Sequence, residues 1–93
     1  MPSSSERWKI APEVAHESFG DAAVVLNLRS GVYYTLNEVA ARAWEKLGKP
    51  VDLPGLTDAL STMFQVERSV LAEDLEALLT ELERLQLVVR VCS

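Results

Sequence analysis

The sequence predicts an α+β domain, a three-stranded antiparallel sheet followed by three helices, on three observations. Ala22 to Arg29 and Val32 to Leu36 are apolar, β-prone runs, and the Ser30-Gly31 pair between them is a hairpin signal. Beyond Asn37, apolar residues recur at the 3.6-residue spacing of helices in three successive blocks. At 93 residues, with 48% hydrophobic and 25% charged side chains, the chain has room for one core and the composition of an ordinary globular fold.

Residues 1–12 are expected to form a partly disordered tail ahead of a single domain spanning 13–91, with Met1 to Ser5 too small and polar to offset their conformational entropy. From Arg7 to Glu17, Trp8, Ile10, Val14 and His16 share one parity with charged residues largely on the other, but Pro12 interrupts the ladder, and the first strand is placed at Glu13 to Ser18. Phe19-Gly20-Asp21 turns the chain into the second strand, Ala22 to Arg29, with Val24, Leu26 and Leu28 on one face. In the third, Val32, Tyr34 and Leu36 share the core parity and Tyr33 and Thr35 point away.

Asn37 is a good N-cap for a helix carrying Val39, Ala40, Ala43, Trp44 and Leu47 on one stripe, closed by Gly48 and Pro50. Asp52 caps a second helix, with Pro54 in its first turn, Leu56, Ala59, Leu60, Met63 and Phe64 facing inward, and an end near Gln65. The third is expected over Arg68 to Gln86, with a seam of Leu71, Leu75, Leu78, Leu82 and Leu85. Leu87 to Val91 is too short for periodicity to say whether it returns to a sheet.

Charge and cysteine usage narrow the function classes. Nine basic against fourteen acidic residues give −5, the wrong sign for a protein bound to phosphate backbones, so nucleic acid is not the expected partner. One cysteine, Cys92, allows no internal disulfide and no multi-thiolate zinc site, which fits a reducing cytoplasm. No apolar run approaches a membrane span, and a soluble cytoplasmic protein is expected.

No catalytic constellation is visible. There is one histidine, no glycine-rich phosphate loop, and no base near the terminal thiol, so no enzyme activity, metal or cofactor is expected. His16 reads as a packed or edge histidine and Trp44 as core, whereas Tyr33 has no core role to fill. Helices two and three resemble a helix-turn-helix, but the third carries Glu73, Asp74, Glu76, Glu81 and Glu83, which would repel phosphates. A meander has two edges, and if nothing covers its third strand, that strand's main-chain groups remain available to another chain.

The residues Val25-Leu26-Asn27-Leu28-Arg29-Ser30-Gly31-Val32-Tyr33-Tyr34-Thr35-Leu36-Asn37, then Ala40, Ala43 and Trp44, resemble the PqqD-like family, as do Asp74-Leu75, Leu78, Leu79, Leu82 and Leu87-Val88 further on. Gln86 stands where the family often has glycine. The resemblance implies a winged helix-turn-helix-like fold that binds no DNA and recognises leader peptides of ribosomally made, modified peptides. It is most like the stand-alone proteins of lasso-peptide biosynthesis. It further implies a leader peptide added as a strand beside Val32, Tyr33, Tyr34 and Thr35, with Asp74, Leu75, Leu78, Leu79 and Leu82 on the helix side. The implied partners are the precursor's leader, a cysteine-protease-like leader peptidase and a cyclase. Alternatives are a peptide chaperone of the PQQ pathway or another such pathway and, from a different class, a DNA-binding winged helix.

Overall fold

The computed structural model describes residues 6–92. The predicted meander is present as β2 (Val14–Phe19), β3 (Ala22–Asn27) and β4 (Tyr33–Leu36), and α1 (Glu38–Lys46), α2 (Leu53–Ser61) and α3 (Arg68–Arg84) follow it. Two further strands, β1 (Glu6–Ile10) and β5 (Val88–Cys92), pair antiparallel with each other as a separate ribbon, from Glu6 opposite Cys92 to Ile10 opposite Val88.

That ribbon corrects the expected boundary at residue 13. Met1 to Ser5 lie outside the described residues, but residues 6–10, assigned to the tail, are a strand whose ladder partner lies at the other end of the chain. Trp8 also exchanges main-chain hydrogen bonds with Val51 (2.8 and 3.0 Å) and packs on the core, and the amide of Ile10 donates to Leu47 (3.1 Å).

Val24, Leu26 and Leu28 of the second strand share one face, as expected, and that face is the outer one. Ala23, Val25 and Asn27 are buried, while Val24, Leu26 and Leu28 lie on the outer face. Both faces of Ala-Ala-Val-Val-Leu are apolar, so alternation cannot choose; register does, because Val25 and Ala23 stand opposite the inward-facing Tyr34 and Leu36 of β4.

All three helices form where expected, with two shorter ends. Asn37 caps α1 by accepting from the Ala40 amide (2.9 Å), and Asp52 caps α2 by accepting from that of Gly55 (2.8 Å). The second helix stops at Ser61 rather than near Gln65, which leaves Met63 exposed instead of inward. The leucine seam of α3 runs Leu71, Leu75, Leu79 and Leu82, with Leu78 and Leu85 half-buried beside it.

The third helix ends in a left-handed turn. Gln86 has φ +62°, its amide donates to Glu83 (3.0 Å), and the Leu87 amide reaches back to Leu82 (2.9 Å), closing the last carbonyls of the helix. Leu87 and Val88 are thereby carried into the core.

Candidate functional site

The ladder hydrogen bonds show which main-chain groups of the sheet are spoken for. The Leu28 amide donates to Glu13 (2.9 Å) and the Asn27 amide to Val32 (2.8 Å). In an antiparallel pair, bonded and non-bonded residue pairs alternate. Counting along the register from these two bonds, Val32, Tyr34 and Leu36 bond inward to β3, and Tyr33 and Thr35 turn their N–H and C=O groups outward. Among the described residues nothing pairs with that border, since the N- and C-terminal strands are joined to each other rather than to β4.

Four unclaimed main-chain groups therefore line the edge of β4. Side chains divide by the same parity. Tyr33 and Thr35 lie on the outer sheet face, Tyr33 with 68% of its surface exposed, while Tyr34 and Val32 are half-buried toward the core.

Past the C-terminal end of this strand lies a concavity of about 230 Å³ between the start of α1 and the flank of α3, lined by Val39, Val66, Leu71, Asp74, Leu75 and Leu78 among others. Its walls are mostly apolar, and Asp74 is its exposed acidic rim. Of the helix residues named from the sequence, Asp74, Leu75 and Leu78 meet here. Leu75 lines it from within the core, and Leu79 and Leu82 are core residues away from it; the three are 1%, 1% and 0% exposed.

Sequence reading missed Val39, Val66 and Leu71 as lining residues. A signal existed for two of them. Val66 precedes the Glu67 cap of α3 and Leu71 is the fourth residue of that helix, the spacing at which an apolar pair brackets a helix start. Also missed was Asn27, a buried polar residue that holds the edge in place. Its Oδ1 accepts from the amides of Arg29 (2.9 Å) and Ser30 (3.1 Å), and its Nδ2 donates to the carbonyl of Gln86 (2.8 Å). One amide side chain thus ties the turn leading into β4 to the end of α3.

Other candidate chemistry is sparse. His16 makes an edge-on contact with Trp44, ring centres 6.4 Å apart. Among the described residues no three His, Cys, Asp or Glu side chains converge as a metal site, and no helix is long and apolar enough to cross a membrane.

Comparison with known proteins bears on the family and the fold. The family model described as coenzyme PQQ synthesis protein D (PqqD) matches residues 22–88, well over half the chain. A solved structure described as TbiB1 in complex with the TbiA(beta) leader peptide is 30% identical, with a TM-score of 0.77, covering 86% of this chain and 93% of its own. A second, a lasso peptide synthetase B1 complexed with the leader peptide, is 27% identical, with a TM-score of 0.75, covering 88% of this chain and 96% of its own. No curated protein matches the chain.

Proposed function

The chain belongs to the PqqD family, and from that premise we propose that it is a non-catalytic adaptor that binds the leader peptide of a ribosomally made precursor in lasso-peptide biosynthesis. The observation that carries this reading is the edge of β4, whose Tyr33 and Thr35 main-chain groups are unclaimed next to an apolar concavity. An extended leader adds as a strand beside Val32 to Thr35 and continues over the flank of α3 formed by Asp74, Leu75 and Leu78, with Leu79 and Leu82 as the packed layer beneath.

Magnitudes assign different work to edge and concavity. Four added hydrogen bonds at about 0.5 to 1.5 kcal/mol each are nearly offset by about 2 to 5 kcal/mol for ordering a disordered leader. Edge pairing alone is weak. Two or three apolar leader side chains, each contributing about 1.5 to 3 kcal/mol on burial, bring the dissociation constant to micromolar or below after the cost of association. Backbone pairing sets the register and the concavity selects the sequence.

Bound this way, the leader holds its core peptide near the enzymes that process it, a cysteine-protease-like leader peptidase and a cyclase, and raises their effective substrate concentration. No bond need change on this protein.

Titration calorimetry with synthetic leader peptides of lasso-peptide precursors, beginning with any precursor found in the same gene cluster, tests the reading. Leu78 is half-buried in the concavity, so Leu78→Lys should weaken binding at least about tenfold while circular dichroism stays that of the parent. Unchanged affinity in a folded variant would remove the concavity from the site.

A further inference from the structure

The sheet has a second open border. By the same alternation of bonded pairs, Val14, His16 and Ser18 of β2 turn their N–H and C=O groups away from β3, and among the described residues no hydrogen bond claims them. This border is longer than that of β4, with six main-chain groups against four. It also has its own cleft, of about 330 Å³, between β2 and α1.

The chemistry of this cleft differs from that of the concavity near β4. Trp44 lies against it, with His16 and Ser18 on the strand side and Asp21, Arg42 and Glu45 around it. Arg42 is shared by the two carboxylates, 2.8 Å from Glu45 and 4.0 Å from Asp21, so the cleft holds one more acid than base. Trp44 is only 3% exposed and forms the packed floor of the cleft, its indole Nε1 sealed from solvent without an acceptor among the described residues.

We propose that the β2 edge and this cleft form a second strand-addition site, which takes an extended segment of another polypeptide carrying lysine or arginine at the residue that enters the cleft. Every second residue of an added strand lies on the face of His16 and Ser18, above the cleft. A long basic side chain fits this lining: its methylenes pack along the strand side of the cleft beside His16 and Ala22, and its cation reaches Asp21 and Glu45. A second copy of this chain is the poorer occupant, because two molecules each at −5 repel. The β4 edge stays free when β2 is occupied, so the two borders can be filled together.

The test uses the full-length ¹⁵N-labelled protein and two acetylated, amidated pentapeptides, Thr-Val-Lys-Val-Thr and Thr-Val-Glu-Val-Thr. The lysine peptide is expected to shift the amides of Val14, His16 and Ser18 and the Trp44 indole, and to bind at least about threefold more tightly than the glutamate peptide. Glu45→Lys should reverse that order without touching the backbone. Ser18→Pro removes one outward N–H at an edge where proline is tolerated, and should abolish the shifts at Val14 and His16. Binding of the synthetic leader peptide at Tyr33 and Thr35 should be unchanged in both variants, which separates failure here from failure at β4. Equal affinity of the two peptides, an unreversed order in Glu45→Lys, or shifts confined to Tyr33 and Thr35 would overturn the proposal. So would concentration-dependent self-association lost in Ser18→Pro, which gives the border to a second copy. Should Ser18→Pro fail to fold, the order of the two peptides on Glu45→Lys decides alone.

Discussion

At the scale of single residues, the junction that positions the β4 edge rests on Asn27 and Gln86. Asn27→Ala removes two acceptor bonds to the turn and the donor bond to Gln86, leaving partly buried groups without partners. It should cost about 2 kcal/mol in urea denaturation. Gln86 sits in a left-handed conformation that costs an L-residue with a Cβ roughly 1 to 2 kcal/mol and costs glycine nothing sterically. After glycine's greater unfolded-state entropy is subtracted, Gln86→Gly should stabilise the domain by about 0.5 to 1 kcal/mol, read in the same denaturation. The two residues show unequal legibility. The departure from glycine at Gln86 stands in the sequence, whereas a buried asparagine in a β-run looks like any polar strand residue until its partner, 59 positions away, is known.

At the scale of elements, proline substitution along β4 distinguishes an edge from an interior. Tyr33 and Thr35 point their amides outward, so Tyr33→Pro and Thr35→Pro should leave thermal unfolding nearly unchanged and yet abolish leader binding in calorimetry. Tyr34 donates inward to β3, and Tyr34→Pro should cost about 3 kcal/mol or more through a lost ladder bond and displaced packing. Equal behaviour of the three variants would contradict the ladder parity on which the site is built. Periodicity placed the three meander strands and the three helices, because hairpin residues and helical stripes are local signals. It did not give the buried face of β3, whose two sides are equally apolar, nor the concavity, where Val66 from a loop meets Val39 and Leu71 from two helices. Such a juxtaposition has no period.

At the scale of the whole molecule, β1 and β5 close the fold by pairing with each other and, among the described residues, leave the outer border of β4 unpaired. The β1–β5 ribbon is only half legible locally: Trp8 and Ile10 alternate with Arg7 and Lys9, but Pro12 breaks that alternation from the strand that follows, and the partner strand lies about eighty residues further on. Its role is measurable by deleting residues 1–10. The deletion removes the ladder to β5, two main-chain bonds to Val51, the packing of Trp8 on the core, and the stacking of the Arg90 guanidinium, 5.2 Å from the Trp8 ring centre. It also removes Glu6, one of two carboxylates that flank Arg90. Loss of the tryptophan packing alone costs about 2 to 3 kcal/mol, and for a domain of this size each kcal/mol moves Tm by about 4 to 8 °C. The truncated protein should therefore melt at least about 10 °C lower in a calorimetric scan. A dispensable tail would leave Tm unchanged. Below that lowered melting temperature it should still bind the leader peptide with the affinity of the full chain, because β4 and the concavity take no residue from the ribbon. A deletion that left Tm intact but destroyed binding would mean that the N-terminal strand belongs to the binding site and not to the scaffold.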